Sequence, residues 1–290
     1  MRSMRGRWEI LAWNPKDTWR VRLAPTVVAM ALMTLASQLA SLASNRAIPE
    51  SETSSGPVKN SSQLPVGVIL PMRLESAVSI KETHAGEALE GRIMQDVPLP
   101  DRGKLPARSK VKGSVLAVVK DSDGPGIKVT LQFNQIEDRG LTLVAATSLR
   151  AMASYQAVRA AQLPFRGPDE GTPSGWANTV QIGGDIRYGD GGLVRNHAKE
   201  KIGKGVIGGV LVYVTANPGL GCEGPVNGDN HLQALWVFSS DACGTYDMKG
   251  VLISHSGNTA PIGENTLHFE ENDAKLEAGT ALLLRVVAQP

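Results

Sequence analysis

The sequence predicts a mainly β fold, a small antiparallel barrel or sandwich, with an apolar transmembrane or signal helix at the amino terminus and one short helix in mid-chain. Three observations carry this. Hydrophobic residues make up 42% of the chain and aromatics only 4%, so the core must be built from Val, Leu, Ile and Ala, of which Val and Ile favour strands. The 31 glycines and 17 prolines suit many short strands joined by turns. Finally, Ile127-Lys128-Val129-Thr130-Leu131-Gln132-Phe133 alternates apolar and polar residues strictly, the period of a strand with one wet face.

Residues 1–43 read as a signal peptide or membrane anchor. Arg2, Arg5, Arg7, Lys16, Arg20 and Arg22 stand against only Glu9 and Asp17 in the first 22 positions, a cationic flank of the kind that stays on the cytoplasmic side of a membrane. Leu23 to Ala43 carries no charge, and its apolar centre, Val27 to Leu35, has the length of a signal-peptide h-region. Ser41-Leu42-Ala43 offers small residues for cleavage before Ser44, while the uncharged stretch is also long enough to remain as an uncleaved span. An amphipathic helix buried in a cytosolic protein would need a polar face, and only Thr34, Ser37, Gln38 and Ser41 could supply one. The expectation is therefore an exported chain, periplasmic or in the cell envelope of a bacterial-type cell, that meets the membrane through its amino-terminal helix. Residues 44–63 are rich in Ser, Pro and Glu with few bulky apolar side chains, as in a flexible tether.

Residues 64–150 are expected to form a β-barrel-like domain. Short apolar runs follow one another at Val66 to Leu74, Ala88 to Met94, Lys110 to Val119, Ile127 to Ile136 and Leu141 to Val144. Asp123-Gly124-Pro125-Gly126 can only be a turn or loop, and Glu137-Asp138-Arg139-Gly140 reads as a hairpin connection.

Several of these segments, taken in order, form a recognisable series. They are Pro65-Val66-Gly67-Val68-Ile69-Leu70-Pro71-Met72-Arg73-Leu74, Ala85-Gly86, Val97 with Leu105-Pro106-Ala107-Arg108-Ser109-Lys110-Val111-Lys112-Gly113, and Asp138-Arg139-Gly140. The series resembles the β-barrel domain of type IV secretion and conjugation core-channel proteins, and Leu276 to Val287 resembles the closing strand of that barrel. The sequence departs from the pattern where Val68 follows Gly67 in place of Thr, at Arg108, and at Asp138-Arg139-Gly140. It resembles small exported β-barrel proteins of environmental bacteria as closely. The resemblance implies a small exported barrel, and channel formation is not carried over with it.

Ala151 to Leu163 holds good helix formers with an apolar stripe at Met152, Tyr155, Val158 and Leu163, stopped by Pro164. Together with the Gly-, Pro- and Asp-rich stretch from Gly167 to Gly205, read as a long loop, it makes up a helix-plus-linker segment over 151–205. Residues 206–290 are expected to form a second β unit, with strands at Val206 to Thr215, Leu232 to Phe238, Lys249 to His255, Asn265 to Phe269 and Leu276 to Val287. That these strands complete the first barrel is the open alternative. The apolar runs at Leu211 to Val214 and Leu282 to Val287 point to interior strands. Cys222 and Cys243 are the only cysteines, and an oxidising compartment would join them in a disulfide.

Candidate chemistry is sparse. His255, His268 and Glu270 have strand-compatible spacing, with His268 and Glu270 on one face, so a neighbouring strand could complete a metal site. Asp185, Asp190, Asp229 and Asn230 sit in Gly-rich loops without the spacing of a calcium loop. Ser239-Ser240-Asp241 and His255-Ser256-Gly257 contain hydrolase residue types without a nucleophile elbow. Cys243 with His231 or His255 lacks any nucleophile motif, and Gly203-Lys204-Gly205 is not a phosphate loop. Trp236, flanked by Leu235 and Val237, suits a core or interface better than a sugar platform. No cofactor is implied. A net charge of +2, from 30 basic and 28 acidic residues, supplies no field for nucleic acid. The expectation is a non-enzymatic β scaffold or binding module for a protein partner or a surface polymer. A periplasmic subunit of a secretion or transport assembly is the alternative, and a hydrolase or metal enzyme comes third.

Overall fold

The computed structural model describes residues 62–163, 181–184, 187–188, 192–195, 199–214, 231–254, 262–271 and 273–289. The leader, residues 44–61 of the tether, Cys222, His255 and the Asp185, Asp190, Asp229 and Asn230 loops lie outside them. Among the described residues no helix is long and apolar enough to cross a membrane.

The chain is mainly β. The strands of its first half are β1 (Ser62–Gln63), β2 (Ile69–Leu74), β3 (Val78–Ser79), β4 (Ala88–Ile93), β5 (Val97–Pro98), β6 (Lys104–Leu105), β7 (Lys110–Lys120), β8 (Ile127–Asp138), β9 (Leu141–Val144) and β10 (Ala146–Ala153). Helix α1 (Tyr155–Gln162) follows. The second half adds β11 (Arg187–Tyr188), β12 (Leu193–Arg195), β13 (Lys201–Val206), β14 (Gly209–Val212), β15 (Gln233–Ala234), β16 (Gly244–Tyr246), β17 (Val251–Ile253), β18 (Asn265–Phe269), β19 (Lys275–Leu276) and β20 (Ala281–Val287).

Eleven strands make the principal sheet, in the order β1-β9-β8-β7-β4-β2-β20-β10-β16, with β18 beside β9 on the edge of β8 away from β7, and β17 outside β18. The sheet curls around Leu70, Met72, Ile93, Val111, Phe133, Leu149, Leu282 and Leu284, yet it does not close into a barrel. Two of its terminal strands, β16 and β17, meet through a side chain, the Thr245 hydroxyl donating to the Val251 carbonyl at 2.8 Å. The expected barrel is thus an open, curled sheet. Among the described residues, the apolar pocket inside, between Leu89, Phe133, Leu267 and Leu276 among others, is about 10 Å³, no more than one water needs.

A second sheet, β11-β12-β13-β14-β15, brings Val194, Val210, Val212, Leu235 and Phe238 together with Ile69, Ala151, Ala281 and Leu283, from the outer face of β2, β20 and β10, and with Val158 of α1. This explains why the first six residues of β20, Arg285 among them, are all buried: the strand is central and covered on both faces, as its near-continuous apolar run suggests.

Pairing across the chain corrects several expectations. β20 pairs antiparallel with both β2 and β10, and β18 pairs with β8. Strands from 206–290 and from 64–150 therefore share one sheet. The Gly-rich stretch is not a loop throughout, because β11 to β13 are built from it. Gly203 permits this: a side chain there would strike the Leu211 carbonyl of β14. The tether ends two residues early, since Ser62 and Gln63 pair in parallel with Leu143 and Val144. The mid-chain helix starts at Tyr155, after Ser154, whose hydroxyl accepts the Ala157 N–H in an N-cap. Ala151 to Ala153 remain strand because β20 and β16 take their backbone groups on either side. Of the run Leu232 to Phe238 only β15 is strand, and the chain turns at Trp236, which takes a left-handed φ of 51°.

Candidate functional site

The β7–β8 hairpin ends in the loop Asp121 to Gly126, and this tip is clasped to β18. The register sets Lys128 of β8 beside His268 of β18, and outward-facing alternation along β18 sends His268 and Glu270 to the same solvent face. Asp121, the first residue of the tip, joins them. Its Oδ2 lies 2.8 Å from His268 Nε2, and its Oδ1 lies 3.1 Å from Lys128 Nζ. Hydrogen bonding from His268, followed by that from Lys128, holds the Asp121 carboxyl below the usual carboxylate range. Gly126 is required behind this contact, because a Cβ there would meet the Asp121 carboxylate and stand 2.9 Å from His268 Nε2.

Asp121, Asp123, Gly126, Lys128, His268 and Glu270 line an open cleft of about 450 Å³. Glu270 also lines a neighbouring cleft of about 480 Å³, bordered by Ser154, Tyr155, Asp247, Lys249, Asp273 and Glu277. Both are solvent-facing and rimmed by charge. Among the described residues no group of three or more His, Cys, Asp or Glu side chains is placed to hold a metal ion: the acid that the strand pairing brings, Asp121, is engaged by His268 and Lys128 and does not form a ligand set with Glu270. No hydroxyl or thiol of the described residues hydrogen-bonds to His268. The pair is therefore a structural clasp that leaves a polar cleft beside it.

The remaining candidates are structural. Ser239 Oγ accepts the Asp241 N–H at 3.2 Å, which shapes a turn. The Ser240 and Ala242 carbonyls of that turn accept from Arg150 Nη2 at 3.3 Å and Nε at 2.9 Å. Burial, together with nearby Arg285, lowers the pKa of Arg150, while its bonds to the turn satisfy part of the buried guanidinium. The Cys243 N–H donates to Tyr246 Oη at 2.9 Å, and His231 Nε2 lies 3.0 Å from Gln233 Nε2. Lys204 lies in β13, within a ladder, not at a helix start. Trp236 is buried in the second core. Its N–H donates to Gln95 Oε1 at 2.6 Å, and its carbonyl accepts from Gln181 at 3.2 Å.

Sequence reasoning missed Asp121, Arg150 and Gln95. Asp121 carried a signal, an acid at the mouth of a Gly-Pro-Gly turn, but its partner lies 147 positions away. No family model matches this sequence, and no curated protein does.

Proposed function

We propose that this chain is an exported β scaffold of a bacterial-type cell envelope, tethered or secreted, that acts by binding a protein partner or a surface polymer. The observation that carries the reading is the contrast between inside and outside. Among the described residues, the apolar pocket inside the curled sheet holds only about 10 Å³, whereas the solvent face bears two adjoining polar clefts of about 450 and 480 Å³ that share Glu270. A ligand must bind from the outside, against charged side chains and turns, as in loop-borne recognition on a rigid sheet. The Cys222–Cys243 disulfide and the amino-terminal membrane helix belong to this proposal.

A direct test incubates the purified protein with isolated envelope fractions, membranes and cell-wall sacculi separately. Saturable binding that weakens when Glu270 and Asp123 are both changed to Ala supports the proposal. Turnover of an ester, peptide or glycoside probe without saturable binding would replace it with the enzyme reading.

A second reading, a periplasmic subunit of a secretion assembly, is favoured by the β2–β20 pairing, which sets the two segments carrying the family resemblance side by side. A ring-sized native particle would select it.

A further inference from the structure

The β7–β8 hairpin is covered on one edge only. β18 lies along β8, but on the outer edge of β7 the pairing with β4 ends at Ser114. Gly86 and Glu87 then take up Val115, and among the described residues no strand pairs with Leu116 to Lys120 beyond β8. The Asp121 N–H bonds back to Gly126, so ladder alternation turns Ala117 and Val119 toward β8 and leaves the N–H and C=O of Val118 and Lys120 pointing outward. The segment Leu-Ala-Val-Val-Lys is apolar up to Lys120 and contains no Pro, and the β-bulge of this stretch, between Val115 and Ala117, lies at its inner end, short of the outward backbone groups of Val118 and Lys120. Such an edge is a template for another strand. Val119, between the two outward-pointing residues, is 56% exposed.

We infer that this edge pairs with the same edge of a second copy of the chain, β7 antiparallel to β7 about a twofold axis at Val119. One register sets Val118 of each copy opposite Lys120 of the other, so all eight outward backbone groups are satisfied by four hydrogen bonds. The two Val119 side chains then face each other at the axis as a close, non-hydrogen-bonded pair. The edge is self-complementary in charge, because Lys120 lies opposite Val118 and Asp121 opposite Ala117, with no like charges directly across. A shift by two residues would oppose Lys120 to Lys120. Room is sufficient: Asp121 of one copy, the last residue before the turn, reaches Ala117 of the other, two positions short of Val115. A contact of this kind is isologous and closes at two copies, joining two four-stranded flaps into one continuous sheet.

The test is sedimentation equilibrium of the full chain in mild detergent, for the wild type, Val119→Lys and Val119→Glu. Because Val119 is exposed, both variants keep the fold, and circular dichroism checks this. The inference expects a wild-type dimer, each variant alone shifted at least tenfold toward monomer, and dimer restored on mixing the two, since unlike charges then meet at the axis. A wild-type monomer at tens of micromolar, or a dimer indifferent to both variants, would overturn it.

Discussion

Asn265 and Leu149 are joined across the gap between β18 and β10: the Leu149 N–H donates to Asn265 Oδ1 at 2.5 Å. Asn265 Nδ2 donates to the Thr147 carbonyl at 3.2 Å and reaches the Leu131 carbonyl of β8 at 3.5 Å. Here β18 and β10 part on the edge of β8, and one buried amide does the work of a missing stretch of ladder. Asn265→Ala leaves a buried N–H and C=O without partners, so the expected loss is about 2–3 kcal/mol, read by urea unfolding. An unchanged midpoint would mean that β18 and β10 hold together without it.

Gln95 links the two sheets. Its Nε2 donates to the Val210 carbonyl of β14 at 3.0 Å, while its Oε1 accepts the Trp236 N–H. Gln95→Leu keeps the bulk and removes both bonds, at an expected cost of about 2 kcal/mol. Hydrogen exchange should quicken selectively in β13 and β14, with β2 and β20 remaining protected.

The Asp121 clasp predicts an acid-side dependence. Its folded pKa is depressed, first by His268, so its contribution to stability is present above the unfolded value of about 3.9 and is lost as pH falls through the folded pKa. His268→Asn removes the largest cause. The Asp121 carboxyl should then titrate higher by NMR, and the change of stability with pH below about pH 4 should flatten.

Cys243 is buried beside the turn that holds Arg150. If Cys222 and Cys243 are joined as proposed, the native protein contains no titratable thiol before reduction. Reduction should cost about 3 kcal/mol for a loop of this length. Two thiols titrating in the denatured, unreduced protein would reject the bridge.

The parts legible in the sequence were those governed by local pattern. The strict alternation from Ile127 to Phe133 marks β8, Asp123-Gly124-Pro125-Gly126 marks its turn, and the near-continuous apolar run at Leu282 to Val287, interrupted by Arg285, marks a central strand. What could not be read is long-range or two-faced. β10 contains Thr147, Ser148 and Arg150, all buried, and its polar residues hid a strand covered on both faces while its alanines imitated helix. The β-strands of the Gly-rich stretch were obscured because Gly203 serves a close strand approach, which composition renders as loop. At the cleft, His268 and Glu270 shared a face as their spacing requires, but Asp121 joins them only through the β8–β18 pairing.

Export of this β scaffold is tested by the location and mature amino terminus of the full-length chain expressed in a Gram-negative host. The protein is expected in the periplasmic or membrane fraction, beginning at Ser44 or retaining its leader as an anchor. An intact chain starting at Met1 and found wholly in the cytosol would contradict it.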